Sequence, residues 1–250
     1  MGSDARVGEA QQKTLAELRR KMAAIPGRGE AAVERSPHAA ELRREALPVP
    51  AALAELLPDG GLAKGSVVSY AGARSLLAGL LAAVTEHGGH AAVVGVPRFG
   101  LLAAAEMGAD LERLAVVADP GPDPIEVASV LLDGLDLVVL GLDGASVVPS
   151  RARVIAARAR NKGATLVVTD GAWPNPALRI DARIAGYVGL GTGHGRLHSL
   201  TLEVEVRGKT GTPGRGHLDL RPSAGRVQWF SQHTDARLTE LPLQARGAAS

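Results

Sequence analysis

The sequence predicts an α/β protein with a mostly parallel central sheet flanked by helices, and three observations support this. Between residues 66 and 170, short apolar segments alternate with helical segments. Such alternation is typical of parallel strands that are covered on both faces. From about residue 182 the pattern changes to consecutive strand-like segments, which predict antiparallel strands and hairpins that extend the sheet. The chain has 250 residues, of which 46% are hydrophobic, enough for one sizeable domain with flanking segments.

The individual elements follow from the apolar pattern and from the glycines and prolines that interrupt it. Residues 47–65 predict a short helix and a glycine-rich turn that enters the first strand. Strands are then predicted at 66–71, 90–96, 114–119, 135–142 and 164–170, and helices at 74–89, 97–109, 124–134 and 149–163. The core therefore extends over 47–230, and residues 231–250 predict a flexible tail.

A separate amphipathic helix is predicted near the start of the chain, within residues 1–30. Its apolar stripe consists of Leu15, Leu18, Met22 and Ile25, at helical spacing. Residues 31–46 are predicted to form a linker, so the helix needs a docking surface on its own domain, on a second copy or on a partner.

Composition limits the classes of function. The chain has no cysteine, which excludes disulfides and thiolate metal sites and fits a cytoplasmic protein. No apolar run is long enough to predict a membrane span, and the start of the chain has no apolar signal core. Only 2% of the residues are aromatic, which leaves little material for stacking on nucleic-acid bases.

Charge is distributed unevenly along the chain. Residues 51–150 carry 4 Lys or Arg and 12 Asp or Glu, whereas residues 151–250 carry 15 and 7. Three interpretations remain open: ordinary solvated surface, an acidic protein partner, or weak contact with nucleic acid. The candidate contact residues are Arg151, Arg153, Arg158, Arg160, Lys162, Arg207, Lys209 and Arg215. On a helix, the pairs Arg151/Arg158 and Arg153/Arg160 each share a face.

The turn after the first strand, "YAGARSLL", lies where nucleotide-binding proteins place a phosphate loop. A working loop surrounds the phosphates with backbone N–H groups and neutralises them with a lysine. This turn has no lysine; its residues are Gly72, Ala73, Arg74 and Ser75. Arg74 could contact an anion at the helix N-terminus. A degenerate connector is the favoured interpretation, because arginine replaces the loop lysine poorly.

Other motifs that would indicate catalysis are incomplete. The strand "LDLVVLGL" resembles a Walker B strand, yet Gly141 stands where a magnesium-binding aspartate is expected. Asp143 follows two residues later and is interpreted as part of a surface turn in preference to a metal ligand. His194 and His198 show no metal-ligand spacing and are assigned to a loop. We therefore predict no catalytic residue and no metal site.

Taken together, the segments "LPVPAALAELLPDGGLAKGSVVSYAG", "LDLVVLGLDGASVVP" and "ARNKGATLVVTDG" resemble the RecA-fold core. The resemblance covers roughly residues 45–230, and the leading helix corresponds to the helix by which RecA subunits dock on one another. The departures are specific: the phosphate-loop lysine is missing, Gly95–Pro97 replace the catalytic glutamate, and Gly141 replaces the Walker B aspartate. The two DNA-binding loops are reduced to residues 144–153 and 170–178.

This eroded pattern resembles the ImuA-type mutasome accessory proteins, most closely the actinobacterial ImuA-prime form. The resemblance implies a cytoplasmic, damage-induced protein of the SOS response, without a cofactor, recruited to the nucleoid or replication fork. Its implied partners are ImuB, an inactive Y-family polymerase homologue, and indirectly an error-prone C-family polymerase in translesion synthesis; self-association is a further expectation. Two alternatives stay open: a RecA-like DNA-binding or nucleotide-binding ATPase, and a SulA-like cell-division inhibitor. Binding to the tubulin-like division protein would identify the latter.

Overall fold

A computed structural model describes residues 46–191, 194–209 and 211–232 of the protein. The predicted helix within residues 1–30, nearly all of the predicted linker and residues 233–250 of the predicted tail lie outside the described residues. Those predictions therefore stay predictions.

The described residues form eleven strands and five α-helices, which alternate from β3 to β7 and are followed by four consecutive strands. The strands are β1 (Ala46–Leu47), β2 (Leu62–Ala63), β3 (Val67–Gly72), β4 (Ala91–Val94), β5 (Leu114–Val117), β6 (Leu137–Gly141), β7 (Thr165–Thr169), β8 (Leu178–Gly191), β9 (His194–Gly208), β10 (Gly214–Ser223) and β11 (Arg226–Gln232). The helices are α1 (Ala51–Ala54), α2 (Arg74–Glu86), α3 (Leu101–Glu106), α4 (Pro124–Leu131) and α5 (Pro149–Lys162), with a 3-10 turn at Leu111–Arg113.

Local sequence explains where the helices begin and end. The Asp123 side chain accepts a hydrogen bond from the backbone N–H of Glu126 and so caps α4, which starts with a proline. Helix α5 also starts with a proline and ends at Gly163, whose left-handed φ of 71° terminates the helix.

Nine strands form one sheet in the order β11-β10-β9-β8-β3-β7-β6-β4-β5. The strands from β8 to β5 run parallel to one another, and β9, β10 and β11 extend the sheet through antiparallel pairs. The prediction of a mostly parallel α/β sheet with C-terminal antiparallel strands is confirmed. Strand β8 joins the two parts, because it pairs in parallel with β3 and antiparallel with β9.

Two apolar cores cover the two faces of the sheet. The first contains α1, α2 and one face, and the second contains α4, α5 and the other face. Along β7, Val167 packs into the first core while Leu166 and Val168 pack into the second. A strand buried on both faces is mainly apolar, which explains the run of Leu166, Val167 and Val168 between two buried threonines.

Three boundaries differ from the sequence predictions. Helix α3 begins at Leu101 and not at residue 97, because Arg98 has a left-handed φ of 57° that interrupts helical geometry. The short ribbon β1–β2 was not predicted, and its first residue, Ala46, falls within the predicted linker. Strand β11 continues to Gln232, two residues into the predicted tail, because its backbone pairs with His217.

No helix in the described part of the chain is long and apolar enough to cross a bilayer.

Candidate functional site

The connector between β3 and α2 is a single residue, Ala73. Its backbone N–H donates to the carbonyl of Ala182 on β8 at 2.8 Å, and its own carbonyl accepts from the buried hydroxyl of Tyr70. A Cβ at Gly72 would lie 1.8 Å from the Ala182 carbonyl oxygen, so only glycine fits there. The backbone that would surround a phosphate in a phosphate loop is therefore bound to the neighbouring strand.

Arg74, the first residue of α2, reaches across the carboxyl edge of the parallel sheet. Its Nη1 donates to the carbonyl of Pro97 after β4 at 2.5 Å, and its Nη2 lies 3.5 Å from Asp170 Oδ2 after β7. Both charged side chains are more than 40% exposed. Next to it, Ser75 has a buried hydroxyl that finds no hydrogen-bond partner within the described residues. In the degenerate turn, the backbone of Ala73 is hydrogen-bonded to β8, and the side chain of Arg74 contacts the ends of both β4 and β7.

The two positions at which the RecA resemblance expects carboxylates lie against each other. A Cβ added at Gly141 would lie 2.3 Å from the carbonyl oxygen of Gly95 and 2.9 Å from its carbonyl carbon. Contacts this short are forbidden between carbon and a backbone oxygen, so a side chain at residue 141 requires the ends of β4 and β6 to separate. The carboxyl edge is closed sterically at this point, in addition to lacking the carboxylates.

The remaining motif residues lie in a turn and in strand β9. Asp143 lies in an exposed turn after β6 with a left-handed φ of 48°, which agrees with its interpretation as a turn residue. His198 lies within β9 and His194 at its first position, so the prediction of a loop for these two histidines was wrong. Antiparallel pairing continues through this segment to Gly191 and His194. Among the described residues, no group of three or more His, Asp or Glu side chains is placed to hold a metal ion.

The eight predicted basic contact residues fall into two sets. Five of them form ion pairs: Arg151 with Asp123, Arg158 and Lys162 with Asp133, and Arg207 and Arg215 with Glu205. Within the described ranges, no ion pair is formed by the other three, which are Arg153, Arg160 and Lys209. Contact between any of the eight and a partner stays a prediction.

The ion-paired set neutralises charge within the protein. Hydrogen bonding to Arg151 holds the pKa of Asp123 below its usual range, and hydrogen bonding to Arg158 does the same for Asp133. Hydrogen bonds from Arg207 and then Arg215 lower the pKa of Glu205 to about 2. Three carboxylates are thus shared among five cations, which reduces the positive charge of one face of α5 and of the end of β9.

The second set lines a groove along the other face of α5. The groove encloses about 900 Å³ between α5, the turn before β3 and the loop after β7. Arg153 and Arg160 are exposed on its helical wall, Lys209 contributes from the β9–β10 turn, and Lys64 contributes from the turn before β3. Asp59 is the one acidic residue among those lining it in the described part of the chain.

A second concavity of about 680 Å³ adjoins this groove. The two share Asn175 and Lys209, and the second is also lined by Arg179 and Arg207. We call the joined clefts, whose cations are Lys64, Arg153, Arg160, Arg179, Arg207 and Lys209, the basic groove.

Sequence reasoning missed Lys64, Arg179 and Asp170 as members of these two regions. Lys64 follows β2 and Arg179 lies near the start of β8, each without a basic neighbour in the sequence, and only the pairing of β3 with β7 and β8 brings them to α5 and Lys209. A usable signal for Asp170 was its place directly after a buried parallel strand, where functional side chains of α/β sheets collect.

The fold and these two regions define an α/β protein with a mostly parallel sheet, close packing of Gly95 against Gly141 at its carboxyl edge, and a basic groove on one flank. The MT3502 N-terminal domain family matches residues 55–175, which cover β2 to β7. The chain is also 52% identical over 169 residues to the uncharacterized protein Rv3395c of Mycobacterium tuberculosis (strain ATCC 25618 / H37Rv), an alignment that covers 64% of this chain and 83% of the relative. The chain therefore belongs to the same protein family as Rv3395c. This relative is actinobacterial, the group that the sequence resemblance indicates.

Proposed function

We propose that the protein is a non-catalytic accessory protein of the ImuA-prime type, which acts as an adapter in a damage-induced translesion-synthesis mutasome. Its proposed main partner is ImuB, and through it an error-prone C-family polymerase. The observation that carries the proposal is the contact between Gly95 and Gly141. A fold that retains a nucleotide-binding framework while its backbone fills the carboxylate positions is suited to binding other proteins.

The closed edge also argues against the ATPase alternative. The one-residue connector at Ala73 is bound to β8, and Arg74 spans the position where phosphates would lie. Restoring nucleotide chemistry would require new backbone geometry as well as new side chains.

The hairpin of β8 and β9 offers a surface for a protein partner. Beyond Ala182, β8 pairs with β9 and no longer with β3, so the hairpin extends past the parallel strands. Register places Ile184 opposite the buried Leu202 and Tyr187 opposite Leu200, so both continue the apolar face of the first core. Ile184 is 49% exposed and Tyr187 is 53% exposed. Apolar surface that continues from a core into solvent is typical of interaction sites.

Co-purification with ImuB tests the adapter function. The full chain is expected to form a stable complex, and a chain without residues 1–30 is expected to lose affinity because it lacks the predicted docking helix. Deletion of 233–250, which spares β11, separates any contribution of the tail.

Point variants make the same test specific to the hairpin. Ile184→Ser with Tyr187→Ser is expected to weaken the complex, because burying each such side chain contributes roughly 1.5–3 kcal/mol. The matched control is Leu102→Ser with Val154→Ser, two similarly exposed apolar residues on separate helices. A full chain that never retains ImuB would refute the adapter function, and equal effects of both double variants would remove the hairpin from it.

A further inference from the structure

We propose that the basic groove binds the phosphodiester backbone of nucleic acid without reading its sequence. An adapter that contacts only proteins needs no such site, so this inference goes beyond the proposed function and stands or falls separately from it.

The geometry of α5 sets the spacing of the groove's cations. Arg153 and Arg160 lie seven residues apart on one helical face, which places them about 10 Å apart along the helix axis. The backbone of Gly65 packs against Arg160, since a Cβ there would lie 2.9 Å from the Arg160 Cα. This contact holds the turn that carries Lys64 beside the C-terminal end of α5.

The two faces of α5 differ in whether their arginines are paired with carboxylates, and on the face opposite the groove they are paired. There, Arg151 lies 2.5 Å from Asp123 and Arg158 lies 2.5 Å from Asp133. In the described part of the chain, Arg153 and Arg160 have no such carboxylate, although they come from the same helix. A concave surface lined mainly with positive charges attracts and concentrates anions. Guanidinium groups in particular bind phosphate oxygens in a bidentate manner.

The lining of the groove favours a phosphate backbone over an acidic peptide. Peptide binding usually depends on pockets that receive aromatic or aliphatic anchors. The apolar part of this lining consists of four alanines (Ala63, Ala152, Ala156 and Ala177), two prolines (Pro149 and Pro174), and the buried Val67 and Trp173. Trp173 is only 4% exposed and cannot present its ring for stacking on a base. Contacts are therefore expected to be with phosphates, and recognition is expected to be independent of sequence.

Fluorescence anisotropy with labelled single-stranded and duplex oligonucleotides tests the proposal on the full chain. Salt is varied from about 50 to about 200 mM, the range over which phosphate contacts lose affinity steeply. The test variant is Arg153→Gln with Arg160→Gln and Lys209→Gln. The matched control is Arg151→Gln with Arg158→Gln, which removes two arginines from the ion-paired face of the same helix.

The wild type is expected to bind both oligonucleotides with salt-dependent affinity. The groove variant should lose at least about tenfold in affinity at low salt. Its log–log salt slope on single strands should be smaller by about 0.7 for each lost phosphate contact. The control should change affinity less than about twofold. No wild-type binding at low salt, equal losses in the two variants, or an unchanged slope would each overturn the proposal.

Three further measurements separate the alternatives. The single variant Lys209→Glu lies in a turn outside the regular strands and should weaken binding while leaving the melting temperature unchanged, which excludes misfolding as the cause. Polyglutamate that displaces the oligonucleotide as effectively as unlabelled DNA of equal charge would assign the groove to acidic proteins and overturn the proposal. Co-purification of the groove variant with ImuB shows whether the adapter function persists on its own.

Discussion

Replacing Gly141 with aspartate is expected to destabilise the protein and not to create a metal-binding carboxylate. The first cost is steric, because the new Cβ would meet the Gly95 carbonyl oxygen at 2.3 Å and the Val96 Cγ2 atom at 3.2 Å. Overpacking of this kind typically costs about 1–3 kcal/mol, and backbone atoms cannot move aside as a flexible side chain can. The second cost is the burial of an unpaired carboxylate, which adds about 1–3 kcal/mol or more. We therefore expect a loss of at least about 2 kcal/mol, equivalent to a melting temperature roughly 4–8 °C lower.

Two alanine variants divide this cost into its parts. Gly141→Ala retains the steric clash without the charge, so it should account for about 1–3 kcal/mol in urea or thermal unfolding. Gly134→Ala is the control: it precedes β6, its backbone is not left-handed, and the added Cβ has no neighbour within 4 Å. It should change stability by no more than about 0.5 kcal/mol. If Gly141→Asp is as stable as the control, the carboxyl edge is open and the reasoning from Gly95 is wrong.

Three further predictions use other parts of the chain. Calorimetric titration with magnesium-ATP should show no saturable heat. A dissociation constant of about 10 μM or tighter, roughly −7 kcal/mol, would contradict this expectation. Ala73→Lys alone should not restore ATP hydrolysis. Hydrogen bonds from Arg207 and Arg215 hold the folded pKa of Glu205 at about 2, below its ordinary value of 4.5, so this residue contributes stability that is present above pH 4.5 and lost as pH falls toward 2. Glu205→Gln should therefore flatten the pH dependence of the melting temperature in that window, and identical profiles would argue against it. Leu18→Asp with Met22→Asp should weaken complex formation in size-exclusion chromatography at an unchanged melting temperature, whereas unchanged assembly with a lower melting temperature would mean that the helix packs on its own domain.

The order and type of the regular elements were predictable because burial leaves a periodic signal. In helix α2 the signal is a continuous one: the ten consecutive buried residues Leu76–Thr85 appear in the sequence as an almost entirely apolar segment between two glycine-containing turns. Contacts between distant segments left no such signal. Gly79 lies inside α2, where glycine is unfavourable, and only the structure shows that the Trp229 indole occupies the space of its missing side chain.

The candidate site was predictable to the same limited extent. Helical spacing grouped Arg151 with Arg158 and Arg153 with Arg160. Which pair faces a neighbour depends on where α4 places Asp123 and Asp133, and that is a tertiary property. The loss of the phosphate-loop and Walker residues could be read directly from the sequence. Their steric closure could not, because it depends on the approach of β4 to β6.

The central position of β3 has a consequence for how the chain folds during synthesis. Both neighbours of β3 follow it late in the sequence, and the hydrogen bond from Thr165 to Ala63 beside it joins residues 102 positions apart. The first core therefore cannot close around α2 until the ribosome has released β7 and β8. Until then, β3 has neither of its neighbouring strands, and its apolar faces are exposed to aggregation. The last three strands, in contrast, pair with their immediate predecessors and can add rapidly once β8 is in place.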